Sequence, residues 1–278
     1  MNLSTITYRI KSRLKHILTA WNTGGEGVHS PYLFEWVRMV MYDKHRYYVW
    51  DDIERLRCTL LRDDRVLRFV DYGTGAVANG VESDRRVSDV ARNSLEPAKY
   101  GQLLYRLVNW LGHQRRNEQM GGLRVLELGT SFGITTAYMA SVDEGDFVLS
   151  LEGCAAVAEV ARANWHALGL KNVKCEVGNI DDTLYTYACA QQGEKWDVIF
   201  IDANHRCDAT CRYFEMLLQT VHEKSVIVVD DIHCSKEMEE AWRKICGHEA
   251  VSTTMDIYKM GLVFFDPRYW RRNYVLNV

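Results

Sequence analysis

The sequence predicts an α/β fold built on a mostly parallel sheet with helices on both faces. From residue 124 onward, short apolar segments alternate with longer segments of helical periodicity, which is typical of repeated strand–helix–strand units. The first apolar segment, residues 124–128, leads into a glycine-bounded turn, residues 129–133, and then into a helical pattern. The carboxyl ends of parallel strands lie along one edge of a sheet, so we expect a ligand site there. Polar residues end the later strands: Glu152, Gly178, Asn179, Asp202, Asp230 and Asp231.

Composition limits the classes of protein to consider. The chain has 278 residues, of which 47% are hydrophobic, enough for one large domain or two modest ones. A net charge of −3 gives no general attraction to nucleic acid. No apolar stretch is long enough to cross a bilayer, and basic residues interrupt the N-terminal region where a signal peptide would be apolar. The eight cysteines show no paired spacing, which predicts reduced thiols and a cytoplasmic location.

The N-terminal region begins with a predicted amphipathic helix over residues 6–21. Basic side chains lie largely off its apolar face, at Arg9, Lys11, Arg13 and Lys15. Such a helix can lie on a membrane surface, but we favour packing of the apolar face against the protein's own domain. The predicted apolar face consists of Ile10, Leu14, Ile17, Leu18 and Trp21.

The rest of the first 115 residues is predicted to be mainly helical and to cover the substrate. Pro31 favours a helix start before residues 32–42, and residues 100–111 show a further helical pattern. His29 is a candidate to reach a substrate, although a histidine at a helix start is more often a local turn residue. Residues 66–75 resemble a nucleotide-binding turn, but we expect neither an apolar helix nor a strand after them, and so no cofactor there.

The remaining elements follow in alternation over a second predicted domain, residues 116–278. We predict helices at residues 134–140, 155–168, 181–190, 207–221 and 236–246. We predict strands at residues 147–151, 173–177, 196–201 and 225–229, and a hairpin from residues 251–258 and 262–265.

The glycine-bounded turn predicts the position of a bound cofactor. Glycine lets a ligand approach the backbone, and the following helix start directs N–H groups at it. Glu152 lies 23 residues after Gly129, where a carboxylate can accept hydrogen bonds from both ribose hydroxyls. The alternative is that Glu152 only complements the dipole of the next helix.

The aspartates at the strand ends predict a second function. Asp202, Asp230 and Asp231 repel one another unless a cation or a proton compensates them, and Mg²⁺ prefers such oxygen ligands. Helix capping by Asp231 is the alternative. His205 is a candidate general base, since an imidazole titrates near neutral pH. A zinc site is a less favoured interpretation, because its candidate ligands lack C-x-x-C spacing: His205, Cys207, Cys211, His233 and Cys234.

Five segments over residues 115–266 resemble, in order and spacing, the class I S-adenosylmethionine-dependent methyltransferases: VLELGTSFGITTAYMA, SLEG, VGNIDD, WDVIFIDANH and VIVVDDIH. They are most similar to metal-dependent O-methyltransferases of the catechol, caffeoyl-CoA and sugar types. The resemblance implies a Rossmann-like, doubly wound sheet of seven strands whose last strand is antiparallel, joined to the mainly helical N-terminal extension.

The resemblance also implies roles for individual residues. Metal ligands would be Asp202, Asp230 and Asp231, and catalysis would involve Asp202 and His205. His205 stands where catechol methyltransferases carry a lysine base, and Asp231 stands where they carry asparagine but the sugar enzymes carry aspartate. S-adenosylmethionine would contact Glu127, Gly129, Thr130, Ser131, Gly133, Thr135, Glu152, Gly153, Asn179, Ile180 and Asp202.

Together these observations predict methyl transfer from S-adenosylmethionine to a hydroxyl of a small molecule, assisted by Mg²⁺ or another divalent cation. One alternative is a metal-independent small-molecule methyltransferase. Another is a non-catalytic module that binds S-adenosylmethionine and docks on a membrane or scaffold through the basic N-terminal helix. A nicotinamide oxidoreductase fits least, because the turn lacks the dinucleotide glycine spacing. The acceptor is not identified, and an oligomer is compatible with the sequence.

Overall fold

The computed structural model describes residues 3–20, 27–28, 30–71, 81–189 and 195–277. Trp21 and His29 lie outside these residues, as do residues 72–80, which include the end of the turn-like segment 66–75. The chain forms two compact units, Met1–Tyr42 with Gln191–Val278, and Asp43–Ala190. The fold class is confirmed: the central sheet is mostly parallel and carries helices on both sides, in a Rossmann-like arrangement.

Strands and helices alternate along the chain from residue 124 to residue 256, after a mainly helical N-terminal region. The helices are α1 Leu3–Thr19, α2 Pro31–Trp36, α3 Val49–Leu60, α4 Val87–Ser94, α5 Ala98–Asn117, α6 Ile134–Ala140, α7 Ala155–Ala167, α8 Ile180–Cys189, α9 Cys207–Leu218 and α10 Lys236–Gly247. A π-helical turn, Val37–Met41, extends α2. The strands are β1 Val66–Asp71, β2 Val81–Arg86, β3 Arg124–Leu128, β4 Phe147–Glu152, β5 Val173–Val177, β6 Val198–Ile201, β7 Val226–Val229, β8 Thr253–Asp256, β9 Gly261–Phe264 and β10 Arg272–Val275.

In the unit Asp43–Ala190, β4 pairs in parallel with both β3 and β5. The core of this unit includes Trp50, Phe132, Tyr138 and Trp165. The boundary predicted between residues 115 and 116 falls within α5. The expectation that no strand follows residues 66–75 is wrong, because β1 and β2 pair as an antiparallel hairpin. Strand β2 was not predicted because its sequence, VESDRR, is polar and lacks the apolar pattern of a strand. It is stabilised by pairing with β1 and by ion pairs such as Arg68 with Glu82.

In the other unit the strands lie in the order β10, β8, β9, β7, β6. Strand β9 is antiparallel to both of its neighbours, which confirms the reversed strand implied by the resemblance. The predicted strand count is one too low, because β10 adds in parallel to β8 at the sheet edge. This strand was missed because its sequence, RNYV, is short and largely polar. No helix in the described part of the chain is both long and apolar enough to cross a membrane.

Helix α1 does not pack as the sequence predicted. Its supposed inner face is exposed, at 56% for Leu14 and 85% for Leu18, whereas Ser12 and His16 are buried. Ser12 Oγ donates to Glu239 Oε1 at 3.0 Å, and His16 Nε2 lies 3.1 Å from the Leu276 carbonyl. Polar contacts to the C-terminal part of the unit therefore orient this helix. The prediction from hydrophobic periodicity that the aliphatic face is buried is wrong.

Asp256 is the centre of the network that holds α1. Its Oδ1 lies 3.3 Å from His16 Nδ1, and its Oδ2 lies 2.7 Å from His233 Nε2. The Tyr258 N–H donates to Oδ1 at 2.8 Å. Burial opposes ionisation of Asp256, but the hydrogen bonds from the two histidines dominate and hold the pKa of this carboxyl well below its usual range.

Asp256→Asn is expected to destabilise the protein by about 2–4 kcal/mol at neutral pH, because it removes the charge that both histidines share. A carboxyl whose pKa is lowered on folding stabilises the protein above its unfolded-state pKa of about 4 and loses that contribution as the pH falls. Urea unfolding at pH 7 and pH 3 measures the effect, which should be smaller at pH 3, because the contribution is lost as the pH falls below the unfolded-state pKa toward the lower folded-state pKa. Glu249→Gln, which changes an exposed carboxylate, serves as the control. If Asp256→Asn lowered the free energy of unfolding equally at both pH values, the electrostatic explanation would be contradicted.

Candidate active site

The turn between β3 and α6 has an unusual backbone. Gly129, Ser131 and Gly133 have φ values of +95°, +49° and +74°. The Gly129 N–H donates to the Leu151 carbonyl at 3.0 Å, and the Gly133 N–H donates to the Thr130 carbonyl at 2.9 Å. Positive φ angles are accessible to glycine at little cost, so the two glycines permit this tight course.

Gly133 is also fixed by its neighbour Trp165. The indole Nε1 of Trp165 donates to the Gly133 carbonyl at 2.9 Å. A Cβ atom at position 133 would lie 2.4 Å from that same Nε1, far inside van der Waals contact. The close approach of the indole therefore requires glycine at this position, a second reason besides the φ angle.

Glu152, at the end of β4, holds the turn from the opposite side. Its Oε2 accepts from the Ser131 N–H and its Oε1 from the Cys154 N–H, both at 2.9 Å. Burial raises the pKa of Glu152 above its ordinary value, although the backbone N–H groups favour the charged form. The carboxylate thus stabilises the turn itself, and ribose binding by Glu152 stays a prediction.

A buried polar network lies beneath the turn. Glu127 is fully buried, and its Oε2 accepts from Thr136 Oγ1 and, at 2.5 Å, from Ser150 Oγ. The hydroxyl of Thr130 lies 2.5 Å from that of Ser150. These contacts give Glu127 and Thr130 a structural role, and cofactor contact by either stays a prediction. Buried Thr135 lies in the first turn of α6.

Asn179 and Ile180 mark the start of α8. The Asn179 carbonyl accepts from the Asp182 N–H at 3.0 Å, and its Oδ1 accepts from the Asp181 N–H at 3.1 Å. Asn179 therefore caps the helix, and Ile180 is half-buried directly after it. Gly153, also half-buried, follows Glu152 at the end of β4. Contact of Asn179, Ile180 and Gly153 with the cofactor stays a prediction.

In the second unit, the ends of β6 and β7 place two aspartates side by side. Ile201 pairs with Val229 in the parallel register, so Asp202 and Asp230 leave the sheet as neighbours. The Asp230 N–H donates to the Ile201 carbonyl at 2.9 Å, and Asp230 is only 2% exposed. Asp231 follows with a φ of +51°. The predicted convergence of these strand ends is present in this unit.

Lys259 lies between two of these carboxylates and was missed from the sequence. Its Nζ lies 2.7 Å from Asp230 Oδ2 and 2.8 Å from Asp231 Oδ1. The residue stands in the loop between β8 and β9, directly before the Met260-Gly261 turn. The strand that follows this loop, β9, pairs with β7, and Asp230 and Asp231 come directly after β7. A lysine in the predicted hairpin turn was therefore the sequence signal for a cation close to these aspartates. The aspartate cluster was expected to need a compensating cation. For Asp230 and Asp231 the ammonium group of Lys259 is that cation.

His205 contacts the third carboxylate. Its Nε2 lies 3.3 Å from Asp202 Oδ1, and its backbone φ of +28° follows a φ of +64° at Asn204. Burial alone would lower the pKa of His205, but the hydrogen bond and charge of Asp202, aided by Asp231, raise it above the ordinary histidine value. The pairing orients the imidazole and favours its charged form, as suits a group that accepts a proton.

The zinc interpretation gains no support from the described residues. His233 contacts Glu239 and Asp256, and Cys207 lies 3.5 Å from Lys244 Nζ. Among the side chains that the structure describes, His233 does not cluster with the cysteines as metal ligands would.

Comparison with known proteins identifies the domain type. Residues 126–232 match the family described as "Methyltransferase domain". The O-methyltransferase imqG of Aspergillus flavus is 33% identical over 119 residues, which are 41% of this chain and 47% of that protein. The chain thus spans about half the length of this curated relative.

Solved structures share the fold. The O-methyltransferase TomG of Streptomyces achromogenes, in complex with S-adenosylmethionine, has a TM-score of 0.51 at 20% identity, covering 62% of this chain and 82% of its own. An O-methyltransferase of Bacillus cereus, in complex with S-adenosylhomocysteine, has a TM-score of 0.54 at 18% identity, covering 84% and 97%. The predicted methyltransferase domain is confirmed over residues 126–232, and the solved structures show the same fold.

Proposed function

We propose that this chain transfers a methyl group from S-adenosylmethionine to a hydroxyl group of a small molecule. The observation that carries the proposal is the extent of the domain match, residues 126–232. This range contains every predicted site residue, from Glu127 to Asp231. Oxygen as the acceptor atom is supported by the names of similar proteins, which are O-methyltransferases.

The glycine turn fits a bound cofactor. The positive φ angles at Gly129 and Gly133 produce a tight turn between β3 and α6, and Trp165 packs against Gly133 and fixes its position. Glu152 and the buried network under the turn keep this backbone in place before a ligand arrives. Preorganisation of this kind reduces the entropy lost on binding.

S-adenosylmethionine supplies an electrophilic methyl group, so the protein must mainly align the acceptor oxygen and remove its proton. In this proposal His205 takes that proton on its imidazole. Asp202, 3.3 Å from His205 Nε2, stabilises the charged ring that results. The oxygen forms the new bond to carbon, the sulfur keeps the electrons of the broken bond, and the proton remains on His205.

Mg²⁺ is the part of the prediction that fits these residues least well. The ammonium of Lys259 contacts both Asp230 and Asp231, so a divalent ion shared by these two carboxylates would have to displace it. We therefore favour the metal-independent version of the reaction, in which Lys259 fixes the acidic pair. Proton transfer to His205 and methyl transfer to the acceptor oxygen proceed in this version without a metal ion.

His205→Gln is expected to lower kcat by about 10²–10⁴-fold while leaving the affinity for S-adenosylhomocysteine unchanged, because glutamine cannot accept the proton. Turnover is followed as release of S-adenosylhomocysteine on a panel of phenolic and sugar hydroxyl acceptors, and affinity by calorimetry. His222→Gln is the matched control, since His222 Nε2 also pairs with an aspartate, Asp197, at 3.0 Å.

The outcomes separate the possible functions. Undiminished turnover of the His205→Gln variant would remove the histidine from the mechanism but leave the methyltransferase intact. Tight S-adenosylmethionine binding without transfer to any acceptor would favour the non-catalytic module. Failure of the wild-type protein to bind either form of the cofactor would overturn the proposed function.

A further inference from the structure

The outer face of α1 carries large aliphatic side chains that are exposed in the described part of the chain. Ile10 and Leu14 are each 56% exposed, Ile17 is 47% exposed and Leu18 is 85% exposed. Single exposed aliphatic residues are ordinary, but a continuous row of four on one helix is typical of a surface that contacts a membrane or another protein. We call these four residues the α1 apolar row.

The geometry of the helix places basic residues beside this row. At about 100° per residue, the four aliphatic side chains fall within an arc of about 100°. Lys11 and Lys15 project next to Leu18 on one side of the arc, and Arg9 and Arg13 next to Ile17 on the other. The helix contains no acidic residue, although the whole chain has a net charge of −3.

The opposite side of α1 explains why the row faces outward. Ser12 and His16 lie about 180° from its centre, and both are buried with partners in the same unit. Arg13 is held at the side, its guanidinium 4.5 Å from the ring centre of Tyr258. Turning the aliphatic side chains inward would break these polar contacts.

We propose that α1 is a docking surface for a membrane that contains anionic lipids. An aliphatic row with basic residues on both sides matches the boundary between acyl chains and negatively charged headgroups. A second copy of this chain fits less well, because a two-fold contact would bring two such basic helices together. This proposal is independent of the proposed catalytic function.

The test is co-sedimentation of the full chain with lipid vesicles at about 0.1 M salt. The wild-type protein should bind vesicles with about one third phosphatidylglycerol at least tenfold more tightly than pure phosphatidylcholine vesicles. Leu14→Glu with Leu18→Glu should weaken that binding by about tenfold or more, because it replaces the apolar contact. Lys11→Glu with Lys15→Glu should produce a similar loss, about tenfold, by reversing the charge.

Matched controls are available on other surfaces. Met120→Glu changes a side chain that is 52% exposed but lies outside α1, and Lys171→Glu reverses an exposed charge elsewhere. Both controls should bind like the wild type, and thermal unfolding and S-adenosylhomocysteine binding verify that each variant is folded.

Three results would overturn the proposal. The first is equal affinity for neutral and anionic vesicles, and the second is unchanged binding by the α1 variants. The third is absence of vesicle binding together with a dimer, detected by sedimentation, that Leu14→Glu with Leu18→Glu dissociates; a second copy would then be the occupant. Because cofactor binding is measured separately, failure of vesicle binding is distinguishable from failure of the proposed function.

Discussion

Gly133→Ala is expected to weaken S-adenosylhomocysteine binding by at least about tenfold and to destabilise the protein by about 2–5 kcal/mol. Two costs add at this position. The added Cβ would lie 2.4 Å from Trp165 Nε1, and the backbone φ of +74° is unfavourable for alanine. Relief requires movement of Trp165, which would break its hydrogen bond to the Gly133 carbonyl and shift the turn. Calorimetric titration and thermal unfolding measure the two effects.

Gly169→Ala is the matched control. Gly169 has a φ of +72°, but a Cβ added there would meet no atom within 4 Å. The control therefore carries only the backbone cost, about 1–2 kcal/mol, and should bind the cofactor product normally. If both variants bind S-adenosylhomocysteine equally well, the turn is not the cofactor site. If both lose the same stability, the steric role of Trp165 is wrong.

The sequence predicted those elements whose physical signal is local. Strand β3 and helix α6 have the predicted bounds, residues 124–128 and 134–140, because an apolar run, a glycine turn and a helical pattern follow without interruption. The side-by-side exit of Asp202 and Asp230 also followed from the strand order alone. Parallel strands of this kind are buried on both faces and therefore stand out as continuous apolar runs.

The features that were missed depend on contacts distant in the chain. Periodicity placed the apolar face of α1 inward, but Ser12 contacts Glu239, 227 residues away, and this polar anchoring decides the orientation. Strands β2 and β10 have polar sequences and form by pairing with a neighbour. Lys259 reaches Asp230 across 29 positions, so no local motif could have paired them.

Lys259→Met is expected to lower the stability of the protein by about 2–4 kcal/mol and to make that stability depend on divalent cations, a dependence that we do not expect for the wild type. The variant removes the ammonium that Asp230 and Asp231 share while keeping a chain of similar length. Asp230 is 2% exposed, so the lost attraction is only weakly replaced by water. Millimolar Mg²⁺ should then raise the Tm of the variant, since an ion bound only by the folded state stabilises it.

Lys174→Met is the control for this experiment. The Lys174 Nζ lies 2.6 Å from Glu176, but the lysine side chain is 56% exposed, and surface pairs of this kind contribute at most about 1 kcal/mol. Wild-type turnover should survive chelation by EDTA, and Mg²⁺ should not change the wild-type Tm. Loss of wild-type turnover in EDTA, with recovery on adding Mg²⁺, would show that a divalent ion replaces the lysine contact during the reaction. The aspartates would then serve as metal ligands, and the metal-dependent version of the function would be correct.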